Sequence, residues 1–132
     1  MPFPEQWLKA AIESAAGCSA FPMRAPEGQA LPYVIYGRMA TARESIMTGT
    51  ASINVNPAGD FAVEIYAATY TAAKTLADAV RVGLHNFTGT ASGVTIRLCL
   101  LTEERDGDPI DFDGQNQPTY TVEHMYSIRW QE

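Results

Sequence analysis

Carboxylates form the most chemically suggestive cluster in this sequence. They run from Glu103 to Asp113 as EERDGDPIDFD, with Asp106, Asp108, Asp111 and Asp113 two or three residues apart. Oxygen ligands so spaced in a loop could hold calcium, but the EF-hand order of ligands fails. Counted from Asp106, the fifth position is Ile110 and the sixth is Asp111 where glycine is needed. Counted from Asp111, the fifth, sixth and twelfth positions are Gln115, Asn116 and Val122. Glu103 and Glu104 are neighbours in sequence, not carboxylates poised across a cleft as glycoside hydrolysis requires. The stretch reads as an acidic loop that faces solvent or a partner.

The two histidines, His85 and His124, have no second His or Cys at metal-ligand spacing. Motifs of nucleophilic catalysis are missing: there is no GxSxG elbow, no catalytic Cys signature and no HExxH. No phosphate-binding loop is present either, because Gly89 and Gly93 have neither the GxxxxGK pattern nor a following helix. Tyr33, Tyr36, Arg38, Arg97, Tyr126 and Arg129 could stack and pair with RNA. The RNP pattern is absent, however, and a net charge of -6 opposes phosphate-backbone binding and an anionic membrane surface alike. No catalytic residue, cofactor or metal is therefore expected. A small α+β enzyme or ligand-binding domain stays as the least favoured class; a pocket holding His124, Tyr126 and a carboxylate would speak for it.

The elements that position these residues can be read from periodicity. Pro4 to Ala16 reads as a helix with Trp7, Leu8, Ala11, Ile12 and Ala15 on one stripe, Pro4 in its first turn and Gly17 just past its end. Phe21-Pro22-Met23 suits a short edge strand, where proline costs no ladder bond. Pro32 to Met39, PYVIYGRM, is a strand rich in β-branched and aromatic residues. From Asp60 the sequence alternates, with Phe61, Val63 and Ile65 on one side. It then changes to a helical period, with Ala73, Leu76, Ala77, Val80, Leu84 and Phe87 on one face and Lys74, Asp78, Arg81 and His85 on the other. Thr71 is the candidate N-cap. Asn86 to Gly93 is a turn, Val94 to Leu101 a strand with Val94, Ile96, Leu98 and Leu100 on one side, and Pro118 to Gln131 a long last strand. The tract from 40 to 59, dominated by small and polar residues, predicts either a hairpin arm or a loop that a partner orders, since a long structureless loop is unusual in a compact domain.

These elements predict one α+β domain over residues 1–132: an antiparallel or mixed sheet of about four to five strands with two helices packed on one face. The cysteines, Cys18 and Cys99, are expected as reduced thiols packed as small apolar groups. No apolar run approaches the ~20 residues of a membrane span, and no basic start followed by an apolar core marks a leader.

Two segments also carry a family resemblance. APEGQALPYVIYGRM (Ala25–Met39) resembles the "aP.g..lPyvvy" segment of tail-completion, or tail-terminator, proteins of long-tailed bacteriophages. FAVEIYAATYTAAKTLADAVRVGL (Phe61–Leu84) resembles the family's "v.vdvya.ty.ea..la.avr..l" segment. A strand, an acidic Asp/Pro-rich loop at Glu103 to Asp113 and a long final strand to Trp130 resemble the family's usual close. The resemblance implies the fold of the lambda-type tail terminator and a structural virion protein. Such a protein would form a homo-oligomeric ring, a hexamer in that family, on the head-proximal end of the tail tube. It would stop tube growth and offer a surface to the head connector or stopper, assembling in the host bacterial cytoplasm. Its partners would be itself, the tail tube protein and the connector, with DNA only as cargo passing through the lumen and no membrane. Another neck or tail component, such as a stopper, adaptor or tube-like subunit, is the alternative. On this reading Arg43, Ile46, Met47, Ile53 and Val55 are expected at subunit or tube contacts. Glu103, Glu104, Asp106, Asp108, Asp111 and Asp113 are expected on the lumen or connector side, where an acidic wall lets DNA slide.

Overall fold

The computed structural model describes residues 3–48, 51–110 and 118–131, with the side chains of all but 43–48 and 51–56. Helix α1 is Pro4–Ala16. Its proline sits in the first turn, where a missing N–H costs nothing, and Gly17 ends it in the left-handed region at φ 71°. Strand β1, Ala20–Pro22, runs parallel to β2, Tyr33–Thr48. Strand β3, Ala51–Ala67, returns antiparallel along β2, with Thr48 opposite Ala51 at the far end. Helix α2, Tyr70–Leu84, follows, then β4 (Gly89–Ala91), β5 (Val94–Asp106) and β6 (Tyr120–Gln131). The sheet order is β1-β2-β3-β6-β5-β4, mixed only at β1.

Both helices cover one face. Trp7, Leu8 and Ile12 of α1 and Ala73, Ala77, Val80 and Leu84 of α2 bury themselves against Val34, Phe61, Val63, Ile65, Val122, Tyr126, Ile128 and Trp130 of the sheet. The helices also touch one another. A Cβ added to Gly83 would stand 2.7 Å from the Cβ of Ala15, so only glycine permits this approach. Trp7 stacks on Phe87 at 4.9 Å between ring centroids, and Phe61 meets Trp130 edge-on at 6.1 Å. The Arg38 guanidinium lies 4.9 Å from the Trp130 ring and pairs with Glu5 at 2.6 Å, tying the start of α1 to β2.

Several expectations need correction. The sheet has six strands, because Gly89–Ala91 forms β4 inside what reads as a turn. Ser92 and Gly93, both at positive φ, make the two-residue connection that folds β4 onto β5, while three residues are too few for a period-two signal. The N-cap of α2 is Thr69, whose hydroxyl accepts from the Ala72 N–H at 3.1 Å; Thr71 lies inside the helix. Along β5 the alternation breaks. Ile96 pairs with Trp130 and Leu98 with Arg129, so Arg97 is an extra residue on that strand. This β-bulge turns Leu98 and Leu100 away from the helices and brings Cys99 and Leu101 to them. A second bulge at Thr102 precedes Glu103 to Asp106, which continue β5 opposite β6 and are not loop. The two thiols are unpaired, with burial pushing Cys99 up to about 12.

Phe61 is fully buried at the centre of this core. Phe61→Ala is expected to cost about 3–5 kcal/mol in a urea titration, from lost transfer energy plus the cavity left behind. Exposed Val82→Ala is expected to shift the midpoint little.

Candidate functional site

Pairing of β2 with β3 continues where the rest of the sheet stops. β1 covers β2 only at Val34–Tyr36, and β6 covers β3 only from Ala58 to Ala67. From Thr41 to Thr48 and from Ala51 to Pro57 the two strands run on as a ribbon with no third strand among the described residues. Arg43, Ile46 and Met47 lie on the outgoing strand and Ile53 and Val55 on the returning one, with Ile46 opposite Ile53; their side chains fall outside those described. The ribbon spans the tract whose small, polar composition left hairpin and loop undecided.

The carboxylates lie at the other end. β6 runs antiparallel to β3, placing Tyr120 beside Ala67 and Arg129 beside Ala58. β5 in turn sets Asp106 beside Val122 and Thr95 beside Gln131. The acidic end of β5 and the start of α2 therefore share the end of the sheet away from the ribbon, about 30 Å from its base at the rise of a strand. The acids do not share a face. Glu103 sits opposite Met125 on the open side, whereas Glu104 sits opposite His124 and Asp106 opposite Val122 on the helix side. Asp106 accepts from Lys74 Nζ at 2.8 Å and from the Tyr70 hydroxyl at 2.7 Å. Those bonds hold its carboxyl below the usual range. Asp108 is exposed in the connection that follows. Asp111 and Asp113 lie outside the described residues.

His124, Tyr126 and Glu104 come together on the helix side. The Tyr126 hydroxyl lies 2.8 Å from His124 Nδ1, and His124 Nε2 lies 2.9 Å from Glu104 Oε2 without the alignment of a hydrogen bond. Both rings are buried, His124 at 2% and Tyr126 at 0% exposure. The three stand in a row, the Tyr126 hydroxyl bonded to one ring nitrogen and the Glu104 carboxylate beside the other. The cleft that reaches His124, about 230 Å³, is lined by Met39, Ala62, Glu64, Glu103, Arg105, Glu123 and Met125 and does not include Tyr126. On that open side Glu64 stands directly opposite Glu123. Their repulsion is offset by Arg105, 2.5 Å from Glu123, and by the Tyr66 hydroxyl, which donates to Glu64 at 2.6 Å. No group of three or more His, Cys, Asp or Glu side chains suited to a metal occurs among the described residues.

The expected polar face of α2 divides. Arg81 pairs with Asp78 at 2.5 Å and Lys74 with Asp106. His85 instead ends the helix, its Nδ1 accepting from the Leu101 N–H at 3.0 Å. Sequence spacing misses this role because His85 also falls on the polar side of the helical wheel.

Against known proteins, the sequence matches the model of the family described as tail completion protein gp17 over residues 6–116. The chain belongs to that family. It is a structural protein of a phage tail, and so a component of the virion. The fold has solved counterparts. One, from a structure titled "Virion of native gene transfer agent (GTA) particle", superposes with TM-score 0.61 at 14% identity, covering 98% of this chain and 91% of that one. Another superposes with TM-score 0.59 at 15% identity, covering 97% and 90%. No curated protein matches the sequence. The family matches the resemblance carried by Ala25–Met39 and Phe61–Leu84, both of which lie inside the matched span. Among the described residues no helix is long and apolar enough to cross a membrane.

Burial keeps His124 neutral by pushing its pKa below the ordinary 6.5, with the Glu104 carboxylate opposing and Arg81 and Lys74 reinforcing the fall. In the unfolded chain the same histidine takes up a proton near 6.5, so its contribution is complete above that pH and lost as pH falls below it. The urea midpoint is therefore expected to drop between about pH 7 and pH 5. His124→Gln is expected to flatten that part of the curve. An unchanged slope in the variant would assign the drop to other groups.

Proposed function

We propose that this protein is a tail terminator: a homo-oligomeric ring, six-fold in the simplest case, seated on the head-proximal end of the tail tube. It stops tube polymerisation there and presents a surface to the head connector. The observation that supports this reading best is the polarity of the molecule. One end of the sheet carries a bare two-stranded ribbon and the opposite end carries the carboxylates of β5. A ribbon of two strands is at most marginally stable in water, so an assembled partner is the natural source of its stability. A ring of such subunits has two chemically different ends, as a part that joins tube to connector needs.

In this assignment the ribbon residues Arg43, Ile46, Met47, Ile53 and Val55 make the contacts between subunits or with the tube. Glu103, Glu104, Asp106, Asp108, Asp111 and Asp113 belong to the lumen or connector side. Net charge of -6 favours a lumen through which DNA passes without adhering. The subunit contacts are heterologous and close on themselves. The partners are the chain itself, the tube protein and the connector, and assembly takes place in the host cytoplasm.

Deleting Met47–Asn56 tests the assignment of the ribbon. The core residues among those described are packed by α1, α2 and the body of the sheet, so the deletion variant is expected to keep a cooperative unfolding transition. It is expected to lose ring assembly, read by light scattering at high concentration and by electron microscopy with tail tubes. Normal rings from the deletion variant would refute the role given to the ribbon.

A further inference from the structure

A backbone N–H or C=O on an exposed sheet edge is met by water yet stays open to another strand, and along its long strands the body of this fold covers or guards most of that edge itself. At β2, β1 pairs with Val34–Tyr36 and the Met23 N–H continues to the Tyr36 carbonyl at 2.8 Å. At β5, β4 pairs with Val94–Ile96, the Asn86 N–H reaches the Cys99 carbonyl at 2.7 Å, and His85 takes the Leu101 N–H. Beyond Leu101 the β5 edge is guarded by consecutive charges, Glu103, Glu104, Arg105 and Asp106, which discourage strand addition. Apart from the outer edges of the three-residue strands β1 and β4, what stays open and unguarded among the described residues is the outer edge of β2 from Gly37 to Thr48 and the outer edge of β3 from Ala51 to Pro57.

We infer that the ribbon of one copy is covered by the ribbons of its two neighbours, the outer β2 edge of each pairing with the outer β3 edge of the next. This deepens the ring reading and rests on it. The two open edges lie on opposite sides of the same ribbon, so a heterologous contact consumes both in every copy. A two-fold contact of β2 with β2 would leave each β3 edge bare. Rotation about a ring axis keeps all ribbons pointing one way, so β2 of one copy meets β3 of the next antiparallel, in the same up-and-down order as within the ribbon. Repeated around the ring, this gives a closed barrel with two strands per subunit, and closure is what removes edges altogether.

Cysteine pairing between two populations of the full chain tests it, in a Cys18→Ser background with buried Cys99 retained. One population carries Ser45→Cys on β2. The other carries a single cysteine at each position from Ala51→Cys to Asn56→Cys on β3. The two are mixed, assembled with tail tubes and oxidised. The inference expects disulfides between the populations at alternate β3 positions, following the period of a strand, and none within the Ser45→Cys population alone. Rings that pair β2 with β2, or that pair with no β3 position, overturn the inference while leaving the ring intact. Cross-linked open filaments support the edge pairing and overturn the ring. Chains that stay monomeric and uncross-linked beside tubes overturn both.

Discussion

β3 is paired with β2 along its whole length from Ala51 to Ala67, but with β6 only from Ala58 onward. That asymmetry organises the molecule. In its second half the strand is the middle of the core, carrying Phe61, Val63 and Ile65 under both helices. In its first half it is one side of a ribbon that leaves the core behind. A single continuous strand thus links the packed body to the part with open hydrogen-bonding edges. Pro57 and Gly59, both buried, mark the passage. A Cβ on Gly59 would stand 2.8 Å from the Phe61 ring and 3.1 Å from the Ala40 carbonyl, so the base of the ribbon is fixed by close contact with the core.

The helix side and the open side of the sheet use different physics. Under the helices the contacts are apolar and aromatic, with the Tyr126–His124–Glu104 chain as a polar exception near the edge. On the open side, neighbouring strands set Glu64, Glu123 and Arg105 in one row across the sheet. Such a row is held by opposite charge and by the Tyr66 hydroxyl, and each exposed pair contributes little to stability. Its weight lies in the face it leaves to solvent or to neighbours: carboxylates framed by Met39 and Met125. Acidity is thereby spread over both sides of one end of the molecule instead of gathered in a single loop.

Much of this was legible in the residues, and the misses have local causes. α1 was readable to its last residue because the apolar stripe, the proline at its start and the glycine after its end agree. β6 was readable because a uniform alternation survives over its whole length, and the family resemblance lay in segments that are mostly core. Bulges were not readable. Arg97 and Thr102 look like ordinary strand residues, and only the partner strand reveals that each is supernumerary. A reading by strict alternation therefore sent Leu98 and Leu100 to the wrong side. The continuation of β5 through Glu103–Asp106 was hidden by its charge, since four ionised residues in a row resemble a loop when pairing with β6 is unseen. His85 looked like one more polar helix residue; its bond to Leu101 depends on where the chain turns after α2. The ribbon's composition was compatible with strand or loop, and the register with its own neighbour decided it.

We have proposed that this phage tail protein terminates the tube as a ring at the head-proximal end. Cryo-electron microscopy of the assembled particle, with the chain located by a bound antibody fragment, tests it most directly. A terminator gives a single ring of density at the junction of tube and connector, with the ribbons of adjacent subunits side by side. Label repeated along the whole tail, or on the portal with no contact to the tube, would contradict it and assign the chain to the tube or to the stopper.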